Sequence, residues 1–266
     1  MTEPRIPQLE GLPIWFDLAT PDVEGTKAFY SGLFGWEWAD VPMSGGNVYS
    51  MAIKGDANVV GLSEEGAGGY PEGAARVWRN HVYVKNTEES CRRIEANGGS
   101  VLSGPSNADG WGVTARVTTH EGAVFGLWQS LKGYGAEVFA EPGAVCWVEY
   151  HTHDLVAAKE FYSAVFGSGF EEVRMPREDG SGEDFGLTMV DLAGEHKHCA
   201  FVELPDKSAP AIWATYFMVE NIQASVAKGE SLGGESVTGA IDVPPGSFAM
   251  MKDPQGTGFS LWQSEG

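Results

Sequence analysis

The sequence is poor in basic residues. Its 266 residues include 17 lysines and arginines against 37 aspartates and glutamates, which gives a formal net charge of −20 at pH 7. Proteins that bind nucleic acids or anionic membrane surfaces need clustered Lys and Arg to neutralise phosphate. The composition therefore argues against nucleic acid and membrane partners. We expect a small-molecule ligand, bound by a monomer or a homodimer.

Long apolar runs and clustered cysteines are also missing. No run approaches the roughly 18 apolar residues that a membrane span requires, and the first ten residues contain no apolar signal segment. Cys91, Cys146 and Cys199 lie far apart in the sequence, so they form neither a disulfide framework nor a cysteine-based zinc site. These absences predict a reduced protein in the cytoplasm.

Several motifs that identify enzymes are absent as well. The chain has no phosphate-binding P-loop, no GxGxxG dinucleotide motif and no HExxH zinc motif. The three cysteines stand in no recognisable motif, so we do not expect a thiol nucleophile. The sequence thus offers no standard catalytic arrangement.

What the sequence does contain is an internal repeat. Residues 13–38, PIWFDLATPDVEGTKAFYSGLFGWEW, match residues 145–170, VCWVEYHTHDLVAAKEFYSAVFGSGF, with every equivalent position offset by 132. The ends of the two halves match too, GLWQS at residues 126–130 and SLWQS at residues 260–264. We interpret the pattern as a tandem duplication.

Each half divides again into two modules of strand, helix and three strands. We expect a first domain at residues 11–131, with modules at 13–64 and 77–130, and a second at 143–266, with modules at 145–204 and 212–264. Gly-rich or Pro-containing linkers are expected at 65–75 and 131–143. Thr20 and Thr87 are the predicted caps of the two helices in the first half, and Gly35 is predicted to end the first helix. The sequence leaves open whether module one shares a sheet with module two or with module four.

The helix sequence AFYxxxFGW and the final strands FGLWQ and FSLWQ resemble the vicinal oxygen chelate superfamily, which includes glyoxalase I, extradiol dioxygenases and bleomycin-resistance proteins. Tandem four-module proteins of actinobacteria, described as glyoxalase-like or as hydroxylases, are the most similar type. The resemblance covers nearly all of residues 11–264. It implies an α+β fold in which paired βαβββ modules form two concave mixed sheets with helices outside.

The resemblance also implies where a metal would bind, on the first and last strands of each module. The positions carried over are Trp15, Gly61, His81 and Gly126 in the first half and Trp147, Ala200, Tyr216 and Ser260 in the second. Only His81 among these is an ordinary metal ligand, and one histidine does not hold a divalent ion. We therefore expect no metal cofactor.

An off-register metal site is the alternative. Residues i and i+2 of a strand face the same side, so Glu149, His151 and His198 are predicted to share one concave face. Two histidines and a carboxylate suit non-haem iron, and would support a glyoxalase-like lyase or an oxygenase or hydroxylase. The competing interpretation is that these histidines bind nothing specific.

Strand alternation predicts the lining of two concavities. The first cup comprises Trp15, Asp17, His81, Tyr83 and Trp128, and the second cup comprises Trp147, Glu149, His151, Tyr216 and Trp262. Aromatic walls with few polar groups suit a flat, partly apolar ligand, although the same rings could simply fill the cups. His81 is either an acid–base or hydrogen-bonding group or a buried histidine satisfied by Asp17. His81, Glu149 and His151 are the candidate catalytic residues if the protein is an enzyme.

Overall fold

The computed structural model describes residues 6–66, 76–132, 135–175, 185–191, 198–243 and 245–265. The first half contains strands and helices in the order β1 (Pro13–Thr20), α1 (Val23–Phe34), β2 (Glu37–Pro42), β3 (Val48–Lys54), β4 (Ala57–Glu64), β5 (Arg79–Tyr83), α2 (Thr87–Ala96), β6 (Ser100–Ala108), β7 (Gly112–Thr118) and β8 (Val124–Ser130). Most of the linker predicted at 65–75, and residues 133 and 134 of the second linker, lie outside the described residues.

The second half repeats this order with one additional short strand. Its elements are β9 (Val145–Thr152), α3 (Leu155–Phe166), β10 (Gly169–Met175), β11 (Phe185–Asp191), β12 (Cys199–Glu203), β13 (Ile212–Met218), α4 (Ile222–Ser231), β14 (Glu235–Ser236), β15 (Ile241–Val243), β16 (Gly246–Lys252) and β17 (Gly258–Ser264).

Each half forms one mixed sheet. The strand order is β2-β3-β4-β1-β5-β8-β7-β6 in the first sheet and β10-β11-β12-β9-β13-β17-β16-β14 in the second, where β15 also pairs with β16. The two modules of a half join through an antiparallel pair, β1 with β5 and β9 with β13. Module one thus shares its sheet with module two. The predicted α+β fold of paired βαβββ modules is confirmed.

The two predicted helix caps of the first half are wrong by one or two residues. Asp22 caps α1 by accepting a hydrogen bond from the Gly25 amide, and Asn86 caps α2 by accepting one from the Glu89 amide. Thr20 is instead the last residue of β1, and Thr87 is already inside the helix. A short side chain caps from the residue just before the first helical one, which places Asp22 and Asn86 correctly.

The predicted end of the first helix is confirmed at Gly35. Its φ of +76° lies in the left-handed region that favours glycine, and its amide donates to the Ser31 carbonyl oxygen at 2.8 Å. Gly167 ends α3 in the same way, with φ of +74°.

The helices pack on the convex faces of the sheets, where the two halves meet. Tyr30 of α1 lies 5.2 Å from Trp78 of β5 and 5.6 Å from Phe259 of β17, measured between ring centroids. In the equivalent place Tyr162 of α3 lies 5.7 Å from Trp213 of β13. Trp78 and Trp213 are fully buried, so one aromatic core joins the halves. Within the described residues no helix has both the length and the apolar character that a membrane crossing requires.

Candidate ligand-binding cups

Strand register places the predicted residues of the first cup on one face. Trp15 of β1 lies opposite His81 of β5, which lies opposite Gly126 of β8. Asp17 lies opposite Gly61 of β4 on one side and Arg79 on the other. Paired residues of neighbouring strands point to the same side of a sheet, so all of these positions share one face of the first sheet.

Asp17 is the most heavily contacted polar group of the first cup. Its Oδ1 accepts hydrogen bonds from Arg79, at 2.9 Å from Nε and 2.6 Å from Nη2. Its Oδ2 lies 2.9 Å from His81 Nε2. Burial alone would raise the pKa of Asp17, but the positive charge of Arg79 and the contact with His81 outweigh it and hold the pKa well below its usual range. Asp17 is therefore an ionised carboxylate neutralised by a guanidinium.

Tyr49 of β3 completes this network. Its hydroxyl accepts a hydrogen bond from Trp15 Nε1 at 2.7 Å and lies 3.5 Å from Asp17 Oδ2. Burial and the neighbouring Asp17 charge raise the pKa of Tyr49 well above its usual value, so the phenol stays protonated. The phenol thereby links the Trp15 indole to the carboxylate.

Two glycines of the first cup allow neighbouring side chains to pack directly over the backbone. A Cβ at Gly61 would overlap the Tyr49 hydroxyl, and a Cβ at Gly126 would overlap the His81 ring. A larger residue at either position requires the ring above it to move. The space that a ligating side chain would occupy on β4 and β8 is thus taken by Tyr49 and His81.

The mouth of the first cup is bounded by the two edges of its sheet. Ser44, in the β2–β3 connection, contacts the Asp109 carboxylate in the β6–β7 turn through both its amide, at 2.9 Å, and its hydroxyl. Tyr83 and Trp128, opposite each other on β5 and β8, are half-buried on the concave face. The β2–β3 connection and the β6–β7 turn at the two ends of the sheet therefore touch.

The second cup is built on Glu149, which occupies the position of Asp17. Glu149 accepts hydrogen bonds from Trp147 Nε1 at 3.0 Å and from the Tyr216 hydroxyl at 2.6 Å. Its Oε2 lies 3.0 Å from His151 Nε2. Burial and the Glu149 charge raise the pKa of Tyr216 well above its usual value, so its phenol remains a hydrogen-bond donor. Trp262 is half-buried on β17, beside Met218 in strand register.

The off-register metal set is not assembled. Across the parts of the chain that the structure describes, no three His, Cys, Asp or Glu side chains come close enough to hold a metal ion. Glu149 and His151 contact each other, whereas the ring centroid of His198 lies 4.8 Å from that of Phe139. Strand alternation predicts only a shared face, and the metal-binding role of these three residues stays a prediction.

Sequence reasoning missed three residues of the first cup. Arg79 stands two positions before His81, so the same alternation that selected His81 could have found it. Tyr49 lies on a strand whose register with β4 has no local sequence signal, so only the structure reveals its place. Arg116 of β7, opposite Gly126, faces the same concavity and was also missed.

Comparison with known proteins agrees with this architecture. A model of the Glyoxalase/Bleomycin resistance protein/Dioxygenase superfamily matches residues 13–127 and again residues 144–261. The chain belongs to this superfamily. The repeated match agrees with the internal duplication, because the model matches once in each half.

Superfamily relatives of similar length are known. The chain is 32% identical over 254 residues to the Mycobacterium bovis protein named "Putative glyoxylase CFP32", covering 95% of this chain and 94% of that one. It is 30% identical over 262 residues to the "Anthracycline biosynthesis protein DauV" of Streptomyces sp. strain C5, covering 94% and 92%.

Solved superfamily structures share the fold at low sequence identity. The 2,3-dioxygenase LapB from Pseudomonas sp. KL28 aligns with a TM-score of 0.61 and 15% identity, covering 97% of this chain and 94% of that one. The Mn(II)-bound glyoxalase from Novosphingobium aromaticivorans aligns with a TM-score of 0.59 and 16% identity, covering 96% and 82%. At these identities the likeness establishes the fold, and the chemistry has to be argued from the cups.

Proposed function

We propose that this protein binds flat, partly apolar small molecules in its two cups without a metal ion. The observation that carries the proposal is which residues occupy, in the first cup, the positions where the family's enzymes bind their metal. Gly61 and Gly126 have no ligating atom, and the Tyr49 and His81 rings lie over them. His81 directs Nε2 at Asp17. This donor set does not fit a divalent ion, because fewer than three ligands converge.

The cup lining supports an aromatic ligand. In each cup two tryptophans lie on the concave face, Trp15 with Trp128 and Trp147 with Trp262, and three of these four are half-buried. Indole faces stack on flat rings, while the few polar groups between them orient the ligand by hydrogen bonds. The relatives named for anthracycline biosynthesis make fused-ring aromatic compounds the first class to test.

The test is a fluorescence titration of the full-length protein with 1,8-dihydroxyanthraquinone. We expect binding to quench tryptophan fluorescence. Trp15→Ala and Trp147→Ala should each weaken binding at the altered cup by about 1 kcal/mol or more, roughly fivefold, as an aromatic contact is lost.

Trp38→Ala is the matched control for these two variants. Trp38 is half-buried away from the cups, where its Nε1 donates to Ser31 Oγ at 3.0 Å. Its loss should leave binding unchanged. Equal affinity in the wild type and both cup variants would overturn the proposal.

Metal analysis of the purified protein separates this proposal from an enzyme that depends on a metal. Stoichiometric Zn, Fe, Ni or Mn that survives dialysis and disappears in His81→Ala, or in the His151→Ala and His198→Ala double variant, would contradict it. The cytoplasmic location and the monomeric or homodimeric state stay predictions, and sedimentation of the purified protein checks the second.

A further inference from the structure

The two cups differ in whether an arginine contacts the central carboxylate. Asp17 and Glu149 occupy equivalent positions of β1 and β9, and both are buried, with 5% and 9% of their surfaces exposed. Asp17 is bound by Arg79, whereas the residue in that place opposite Glu149 is Ala214. The duplicated sheets therefore share the carboxylate but not the guanidinium.

No arginine or lysine side chain among the described residues neutralises Glu149. Its hydrogen-bond donors are the Trp147 indole and the Tyr216 phenol, both uncharged, and its third contact is His151. Among the described residues Glu149 contacts no arginine or lysine. Buried charges in proteins are usually paired, so a carboxylate with no arginine or lysine beside it attracts a positive charge from elsewhere.

The surroundings of Glu149 suit an organic cation. Trp147, Trp262 and Phe248 pack around Tyr216 on the concave face, and aromatic faces attract cations through the negative potential above the ring. The net charge of −20 also raises the local concentration of cations over the whole surface. An inorganic ion would gain only the charge interaction, whereas a flat aromatic cation gains both the charge interaction and the stacking.

We propose that the second cup is a binding site for a flat aromatic cation, held by Glu149 and the surrounding indoles, and that the first cup has no such preference. This inference rests on the proposed function, since it assumes that a flat ligand enters the cups. It adds a chemical class of ligand, a protonated or quaternary nitrogen attached to an aromatic ring system, and assigns that class to one cup.

The probes are 9-aminoacridinium, a flat cation, and acridine, its analogue that is uncharged at pH 8. Titration of the full-length protein should give tighter binding of 9-aminoacridinium than of acridine. Glu149→Gln should weaken 9-aminoacridinium at least tenfold and change acridine less than twofold, because glutamine keeps the shape but not the charge. Glu149→Asp should keep the preference for the cation.

Glu235→Gln is the matched control, because it removes the same charge from an exposed carboxylate at the edge of the sheet, 3.5 Å from Lys252. It should leave both affinities unchanged. Near-ultraviolet circular dichroism of Glu149→Gln establishes that the cup is still folded.

Equal affinity for the two probes, or an equal loss of both in folded Glu149→Gln, would overturn the charge assignment alone and leave the proposed function intact. Failure of both probes to bind the wild type would overturn the proposed function together with this inference.

Discussion

The convex and concave faces of the duplicated sheets have changed to different extents. On the convex side, matching positions of the two halves hold the same large residues, such as Tyr30 and Tyr162 or Trp78 and Trp213. On the concave side, His81 is replaced by Tyr216 and Arg79 by Ala214. The comparison teaches that the face that packs the halves together keeps its largest side chains, whereas the cup face keeps its tryptophans and its carboxylate but has changed the residues beside that carboxylate.

The reason for the contrast is packing. Trp78 donates a hydrogen bond from Nε1 to the Tyr30 hydroxyl at 2.9 Å, and Tyr30 in turn donates to Asp253 Oδ2 of the other half at 3.3 Å. A change at any of these positions disturbs a close-packed core that belongs to both halves. A change in a cup disturbs only the half that contains it.

The largest effect is expected from removing a convex tryptophan. Trp213→Ala should lower the free energy of unfolding by about 3–5 kcal/mol, because the ring is fully buried and its loss leaves a cavity. Trp147→Ala, the half-buried tryptophan on the concave face of the same half, should cost less than about 2 kcal/mol. Urea denaturation of both variants checks the difference. Similar losses would contradict the distinction between the two faces.

A smaller effect is expected from Arg79→Ala. The substitution leaves Asp17 buried with only His81 and Tyr49 nearby, and removing one partner of a buried ion pair costs on the order of 3 kcal/mol. Adding Asp17→Asn in the same chain should recover a substantial part of the loss, since the uncompensated charge is gone. The two denaturation curves measure this, and an absence of recovery would show that Arg79 acts by packing alone.

The smallest effect is expected in the acid dependence of stability. The pKa of Asp17 is lower in the folded chain than in the unfolded one, so its stabilisation is complete above about pH 4 and is lost as the pH falls towards the folded pKa. The wild type should therefore lose more stability than Asp17→Asn on acidification from pH 5 to pH 2. Thermal unfolding across that range measures the difference between the proteins, and parallel curves would argue against a depressed pKa.

Most of the fold could be predicted because the duplicated sequence carries its own internal comparison. The matched segments at 13–38 and 145–170, and the LWQS ends, locate the modules, whereas the strand order of each half was found in the structure. The caps could not be placed to the residue, because Thr20 and Asp22 are both good capping residues and only backbone geometry distinguishes them. The C-terminal end of the first helix was easier to predict, since Gly35 takes a backbone conformation that favours glycine.

The candidate site could be predicted only along single strands. Strand alternation correctly predicted that Trp15 and Asp17 share one face of β1, and that Trp147 and Glu149 share one face of β9. Contacts between strands that lie far apart in the sequence, such as Trp15 with Tyr49 or Glu149 with Tyr216, depend on register and on the curl of the sheet. No spacing in the sequence encodes the curl, so the contact of Asp17 with His81 was the one carboxylate contact that the sequence suggested.

The central claim is that the cups bind their ligand without a metal, and one titration tests it most directly. Purified protein is dialysed against excess EDTA and titrated with 1,8-dihydroxyanthraquinone, with tryptophan quenching as the signal and untreated protein alongside. The account predicts the same affinity and the same quenching before and after chelation, because the residues that hold the ligand are Trp15, Trp147 and their neighbours. Binding that disappears on chelation and returns with added Mn(II) or Zn(II) would contradict it.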